Sequence, residues 1–167
     1  MSDAARLYPD ATIVIRSDIL DEQACAWRHI ATRGSWYTGA ERIAMAKAVR
    51  GARSCGLCHA RAEALSPNAV QGQHDHDGAL PDLVVETVHR IVSDPGRLGK
   101  NWFDGLLAQG LTVEQYDEIV GVTAHTVSLD TFARGLGLSP VPLPQPVPGA
   151  PSGYRPLCAT PGPGWVP

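Results

Sequence analysis

The sequence predicts an all-α protein, and three observations carry that expectation. Apolar residues recur at three- and four-residue steps over most of residues 18–138. Two Thr-x-x-Glu/Gln sequences, Thr38 to Glu41 and Thr112 to Gln115, each stand at the head of a run rich in helix formers, where capping boxes belong. Stop signals fall where the runs end: Gly34, Ser66-Pro67, Asp94-Pro95-Gly96, Gly110 and Gly137. Together these give a compact domain of about five to six helices over residues 18–138. An irregular arm (1–17) precedes it and a proline-rich tail (139–167) follows.

The elements are expected in this order. Thr12 to Ile15 offers a brief strand within the arm. Asp18 is the expected N-cap of the first helix, whose apolar face is Ile19, Leu20, Ala24, Trp27, Ile30 and Ala31. The Thr38 box opens a second run, with Ile43, Ala46, Ala48 and Val49 on a narrow small-residue face. Gly51 weakens its middle, so a kink or restart is predicted just before Cys55, with Ser54 capping the new segment. Residues 67–80 form a long polar loop carrying His74-Asp75-His76-Asp77-Gly78. Pro81 starts the next helix, with Leu83, Val84, Val88, Ile91 and Val92 inward, and a shorter one follows with Trp102, Phe103, Leu106 and Leu107. The longest helix runs from the Thr112 box to about Leu136. Its apolar positions Tyr116, Ile119, Val120, Val127, Phe132 and Leu136 are too widely spread for one narrow face, which predicts a central or subunit-interface helix. Ten of the fourteen prolines lie in residues 140–167, so that tail is extended and contributes no core.

Composition narrows the function classes. The 167 residues are 44% hydrophobic and 19% charged, an ordinary globular balance for a single core. A net charge of -3 without charged runs gives no electrostatic ground for binding nucleic acid. No apolar run approaches the roughly 20 residues of a membrane-spanning helix, and the start lacks a basic-then-apolar leader. The expected location is therefore the cytoplasm. There a close cysteine pair is redox-active or metal-binding rather than a structural staple. Cys25 and Cys158 have no pattern around them and read as small buried hydrophobes or incidental residues.

The chemistry concentrates in Ser54-Cys55-Gly56-Leu57-Cys58-His59. Cysteines three apart lie one helical turn from each other and can close a disulfide or share a soft metal. At a helix start the unpaired N–H groups and the macrodipole also favour a thiolate, which singles out Cys55. Three further readings stand beside a dithiol redox pair: two inert buried cysteines, haem attachment through C-x-x-C-H, and zinc. Haem needs export and a second axial ligand such as Met1, Met45 or another histidine. Zinc needs two more ligands from His59, His74, His76 or His125.

Five blocks follow in order: W-Y-T-G-A-E-R-I-A-M-A-K (Trp36 to Lys47), C-G-L-C, A-L-S-P-N-A-V (Ala64 to Val70), Y-D-E-I-V-G-V (Tyr116 to Val122) and D-T-F-A-R-G-L-G-L (Asp130 to Leu138). Together they resemble the alkylhydroperoxidase branch of the carboxymuconolactone decarboxylase superfamily. The likeness covers roughly residues 20–156. It implies an all-helical fold, assembly into homo-oligomers, and a C-x-x-C pair that reduces peroxides or exchanges with a dithiol electron donor, without a cofactor. The usual pattern of that branch is E-x11-C-x2-C-x3-H. Its glutamate position falls here on Ile43 and its histidine position on Ala62, so the proton relay is absent from its usual place.

Thiol redox chemistry needs a base near the attacking sulfur and an acid for the leaving oxygen. The candidates beside Cys55 and Cys58 are Glu41, His59, Glu63 and His125. Glu41 would lie within about 40° of the face of Cys55 on an unbroken helix, with its capping box as the competing role. His59 points roughly 100° away from Cys58 and would tune it only electrostatically. Glu118 and His125, two turns apart, share a face of the long helix, with core burial as the competing role. Trp36, Tyr37, Trp102 and Phe103 wall a pocket or fill the core. The expectation is a cytoplasmic, oligomeric thiol peroxidase or dithiol-disulfide oxidoreductase. Its alternatives are a non-catalytic helical scaffold and a metal-binding protein using the cysteine pair.

Overall fold

The computed structural model describes residues 7–160 and 162. The first six residues of the expected arm, Met1 among them, and residues 161 and 163–167 of the tail lie outside that set. Among the described residues there are six α-helices and no strand. They are α1 (Ser17–Ala31), α2 (Gly39–Gly51), α3 (Gly56–Glu63), α4 (Asp82–Ser93), α5 (Lys100–Ala108) and α6 (Val113–Gly135). No helix among the described residues is long and apolar enough to cross a membrane.

Local chemistry explains most of the boundaries. The Thr38 hydroxyl accepts from the Glu41 N–H while the Glu41 carboxylate accepts from the Thr38 N–H at 2.7 Å. Thr112 and Gln115 repeat this reciprocal arrangement at the head of α6. Gly137, at φ +72°, closes α6: its N–H reaches the Arg134 carbonyl, and that of Leu138 reaches back to Ala133. This pair of bonds is a Schellman stop, which needs a left-handed residue there. Two details differ from expectation. Asp18 lies in the first turn of α1, paired to Arg16, and caps nothing. Thr12 to Ile15 stays irregular.

The core is one cluster in which α6 packs against α1, α2 and α4. Trp27, Ile30, Met45, Ala46, Val49, Val84, Val88, Phe103, Leu106 and Ile119 are buried in it. Tyr37 and Phe103 belong to this core, while Trp36 and Trp102 pack half-buried at its edge. The buried stripe of α6 runs through Tyr116, Ile119, Val122, Thr123, Thr126, Leu129, Asp130 and Ala133. Leu136, at the C-cap, is exposed. Two threonines tolerate the interior because Thr126 and Thr87 each donate to a carbonyl four residues back, of Val122 and Leu83. Asp130 is buried as a bidentate partner of Arg50, at 2.8 and 3.0 Å. Neither Cys25 nor Cys158 is the buried hydrophobe that one reading expected; both are exposed.

The proline-rich tail is extended and lies against its own chain. The Val147 N–H donates to Ala31 O, Ser152 to Gly34 O and Gly153 to Ser35 O. Arg50 donates to Val141 O, and Arg155 pairs with Glu114. Tail backbone thereby satisfies carbonyls at the α1–α2 junction that would otherwise be left to water.

Candidate functional site

The chain turns sharply between α2 and α3, and that turn sets up the site. Gly51 is the last residue of α2, and Ser54 uses its hydroxyl to donate to Gly51 O at 3.2 Å rather than to cap α3. Cys55 itself occupies the N-cap position. Cys58 then sits one turn into α3, and both sulfurs are buried with Ala52 and Leu57 against Val70 and Val92. The rest of the site comes from elsewhere. The loop after α3 folds back over its start: Asp75 accepts from the Gly56 N–H at 2.9 Å, and its own N–H donates to Cys55 Sγ at 3.4 Å. This reciprocal clasp places His74 directly over the cysteines.

His74 Nδ1 stands 3.4 Å from Cys55 Sγ and 3.5 Å from Cys58 Sγ. His89, on α4, contributes Nδ1 at 3.4 Å from Cys58 Sγ and 3.0 Å from His74 Nδ1. These four donor atoms all lie within 4.8 Å of one another. On the far side of His74, Nε2 lies 2.8 Å from the Glu86 carboxylate, which also accepts from Arg61 Nη1 at 2.7 Å. Arg61 is three residues beyond Cys58 on α3, and Glu86 three residues before His89 on α4, so each pair shares a helix face. Arg97 fastens the assembly by donating to the Arg61, Ala62 and Ala64 carbonyls at the end of α3.

Electrostatics follow from these contacts. Burial disfavours the charged ring of His74, but hydrogen bonds to Cys58, Glu86 and Cys55 outweigh it and hold its pKa up at about 10. Burial likewise opposes the charge on Glu86, yet His74 and Arg61 hold it down at about 2. His89 shifts the other way: burial, and then the charge of His74, push it down to about 4. For Cys55, burial opposes the thiolate, while the N–H groups of Asp75 and Cys58 and the side chains of His74 and Cys58 favour it and win. Such a site can hold a thiolate beside an imidazolium, or offer two sulfurs and two imidazole nitrogens to one soft cation. His74 and Glu86 also line an open cleft of about 500 Å³, shared with Arg61, Asn101 and Trp102.

No known protein family, curated protein or solved structure matches this chain. The geometry alone therefore carries the functional argument.

The structure brings together Cys55 and Cys58 but sends the expected relay residues elsewhere. Glu41 is engaged in its capping box, where its carboxylate accepts from both the N–H and the hydroxyl of Thr38. His59 bonds the Arg53 carbonyl on the exposed side of α3. Glu63 is exposed at the end of that helix. His125 bonds Gly121 O on α6 and faces a second cleft, of about 630 Å³, beside His29 and the buried Arg42–Glu118 pair at 3.3 Å. The sequence reading left His89, Glu86 and Arg61 unnamed. One signal could have found two of them: Glu86-x-x-His89 sets two ionisable residues one turn apart on a helix whose neighbouring positions Val84, Val85 and Val88 are apolar.

Proposed function

We propose that the protein is a dithiol oxidoreductase of peroxidase type, acting through Cys55 and Cys58 with His74 as the proton relay. One observation carries the reading: a single imidazole nitrogen faces both sulfurs, at 3.4 and 3.5 Å, while its other nitrogen is held by Glu86 at 2.8 Å. His74 thus takes over the place left by Ile43 and Ala62, and Glu86 orients it.

In this reading Cys55, at the start of α3, is the attacking thiolate. Its sulfur bonds to one peroxide oxygen as the O–O bond breaks, and His74 gives its proton to the departing alkoxide, which leaves as the alcohol. The Cys58 thiol then attacks the sulfenic acid at Cys55. An S–S bond forms, and the hydroxyl leaves with the Cys58 proton as water. The sulfurs lose two electrons, which the peroxide has taken, and an external dithiol donor restores them by exchange. Both sulfurs are buried beneath residues 71–77, so that segment lifts to admit substrate. A cytoplasmic location would supply the reductant, and the resemblance to the alkylhydroperoxidase branch adds assembly into homo-oligomers. Light scattering tests the assembly: a clean monomer at micromolar concentration refutes it.

The test of the chemistry is a free-thiol titration before and after one equivalent of hydrogen peroxide or an organic hydroperoxide, on metal-free protein. Loss of two thiols per chain, recovered by dithiothreitol and abolished in Cys55→Ser, is expected. His74→Gln should slow that loss by about 10²–10⁴-fold, the usual contribution of a positioned acid–base group. Thiols inert to peroxide in the folded protein would remove the proposal.

A further inference from the structure

Peroxide chemistry leaves one side chain of the cluster without a task. His89 is fully buried, its Nδ1 points at Cys58 and His74, and its Nε2 has no hydrogen-bond partner. A disulfide between Cys55 and Cys58 needs no second imidazole. Yet His89 Nδ1 converges with His74 Nδ1, Cys55 Sγ and Cys58 Sγ, all four within 4.8 Å of one another, which is how ligand atoms surround a cation.

The distances specify what kind. A tetrahedral zinc ion with Zn–S of about 2.3 Å and Zn–N of about 2.0–2.1 Å sets its ligands about 3.5–3.6 Å apart for N···S and about 3.4 Å for N···N. Three of the four N···S separations are 3.4, 3.5 and 3.4 Å, and the N···N separation is 3.0 Å. These four edges come close to those of a tetrahedral zinc site, and the other two, Cys55 Sγ to Cys58 Sγ and Cys55 Sγ to His89 Nδ1, lie within 4.8 Å. Two thiolates and two imidazoles are the donor set of a closed zinc site, and they suit neither magnesium nor calcium. The outer contacts agree. With His74 Nε2–H donating to Glu86, the Nδ1 lone pair is free to face the centre, as in carboxylate–histidine–metal triads.

We propose that Cys55 Sγ, Cys58 Sγ, His74 Nδ1 and His89 Nδ1 bind one zinc ion in the reduced protein, and that peroxide expels it. Zinc occupancy stands on the four-atom geometry alone, whereas expulsion rests on the dithiol reading above. The balance is simple. The two zinc-bound thiolates give two electrons to the peroxide O–O bond and join as a disulfide. Two protons from solvent convert the peroxide oxygens of hydrogen peroxide into two waters. The ion, having lost both sulfur ligands, leaves as Zn²⁺. Zinc would then protect the dithiol at rest and report its oxidation.

The experiment uses the full chain, reduced and stripped with chelator under anaerobic conditions. It is titrated with zinc sulfate against a chromophoric competitor, and separately with cobalt chloride. One zinc per chain is expected, together with the intense visible bands of tetrahedral cobalt and a thiolate-to-cobalt charge-transfer band. His89→Ala should weaken zinc binding by at least about 100-fold, and Glu86→Gln by about 10–100-fold. His59→Ala and His125→Ala should bind as the parent does. Because His89→Ala opens a buried cavity, Cys58→Ser serves as a second variant and must lose the charge-transfer intensity of one thiolate. Less than one zinc per chain, a pale octahedral cobalt spectrum, or undiminished affinity in His89→Ala overturns the site. Peroxide added to the metal-free and zinc-loaded forms separates the two proposals. A disulfide in metal-free protein that takes up no zinc leaves the dithiol reading intact and sinks this one. Zinc uptake with thiols inert to peroxide in the metal-free form upholds the site and overturns expulsion together with the dithiol reading. Release of one zinc per two thiols lost supports both.

Discussion

Replacing Glu86 by glutamine tests how the site is held together. The Glu86 carboxylate accepts from His74 at 2.8 Å and from Arg61 at 2.7 Å, joining the loop over the cysteines to α3 and α4 at one point. Hydrogen bonds to charged groups contribute about 1.5–3 kcal/mol each and neutral ones about 0.5–1.5 kcal/mol, so losing the charge forfeits about 1–1.5 kcal/mol per bond. Both bonds end on one carboxylate oxygen, so glutamine can keep the shape and place its carbonyl acceptor there while losing the charge. The loss over both bonds is about 2–3 kcal/mol. Glu86 is 28% exposed in its side chain, and water recovers part of that, leaving about 1–2 kcal/mol. For a chain of this length the expected fall in Tm is about 2–8 °C. Calorimetry of the metal-free reduced protein measures it. Hydrogen exchange should quicken at the Asp75 N–H, which depends on the same docking. An unchanged Tm with unchanged exchange would refute the reasoning, since the carboxylate would then be holding nothing.

Three further outcomes follow from packing and capping. Ile119→Ala, at a fully buried position of α6, should cost about 2–5 kcal/mol in denaturant unfolding without a change in m-value. Asp130→Asn breaks the bidentate pairing with Arg50 and should cost about 1–3 kcal/mol; because Arg50 also donates to Val141 O, limited proteolysis should begin to cut near the start of the tail. Thr38→Ala removes one half of a capping box and should lower stability by about 1 kcal/mol, whereas Thr38→Ser should be near neutral; equal effects of the two would contradict the capping role.

What the sequence made readable was local. The Thr38 and Thr112 boxes, the break at Gly51, the start at Pro81 and the stop at Gly137 are decided within four residues of chain, and all five stand in the structure. The cysteine pair was readable for the same reason. Its surroundings were not, because His74 and His89 are fifteen residues apart and reach the sulfurs only after a loop and a helix fold back. Glu41 shows the opposite error: a face argument across an unbroken helix fails once the chain turns at residues 52–54 and the carboxylate is already engaged. Thr126 lies in the buried stripe of α6 because a threonine can be buried by bonding its own helix, which apolar periodicity does not register.

The tail sets an order of events for biosynthesis. Its residues 141–153 cover carbonyls of Ala31, Gly34 and Ser35, which belong to the part of the chain made first. The junction of the first two helices therefore waits, hydrated, until residues 147–153 have been synthesised. Any shortening from the carboxyl end into that segment reopens a joint more than a hundred positions upstream in the chain.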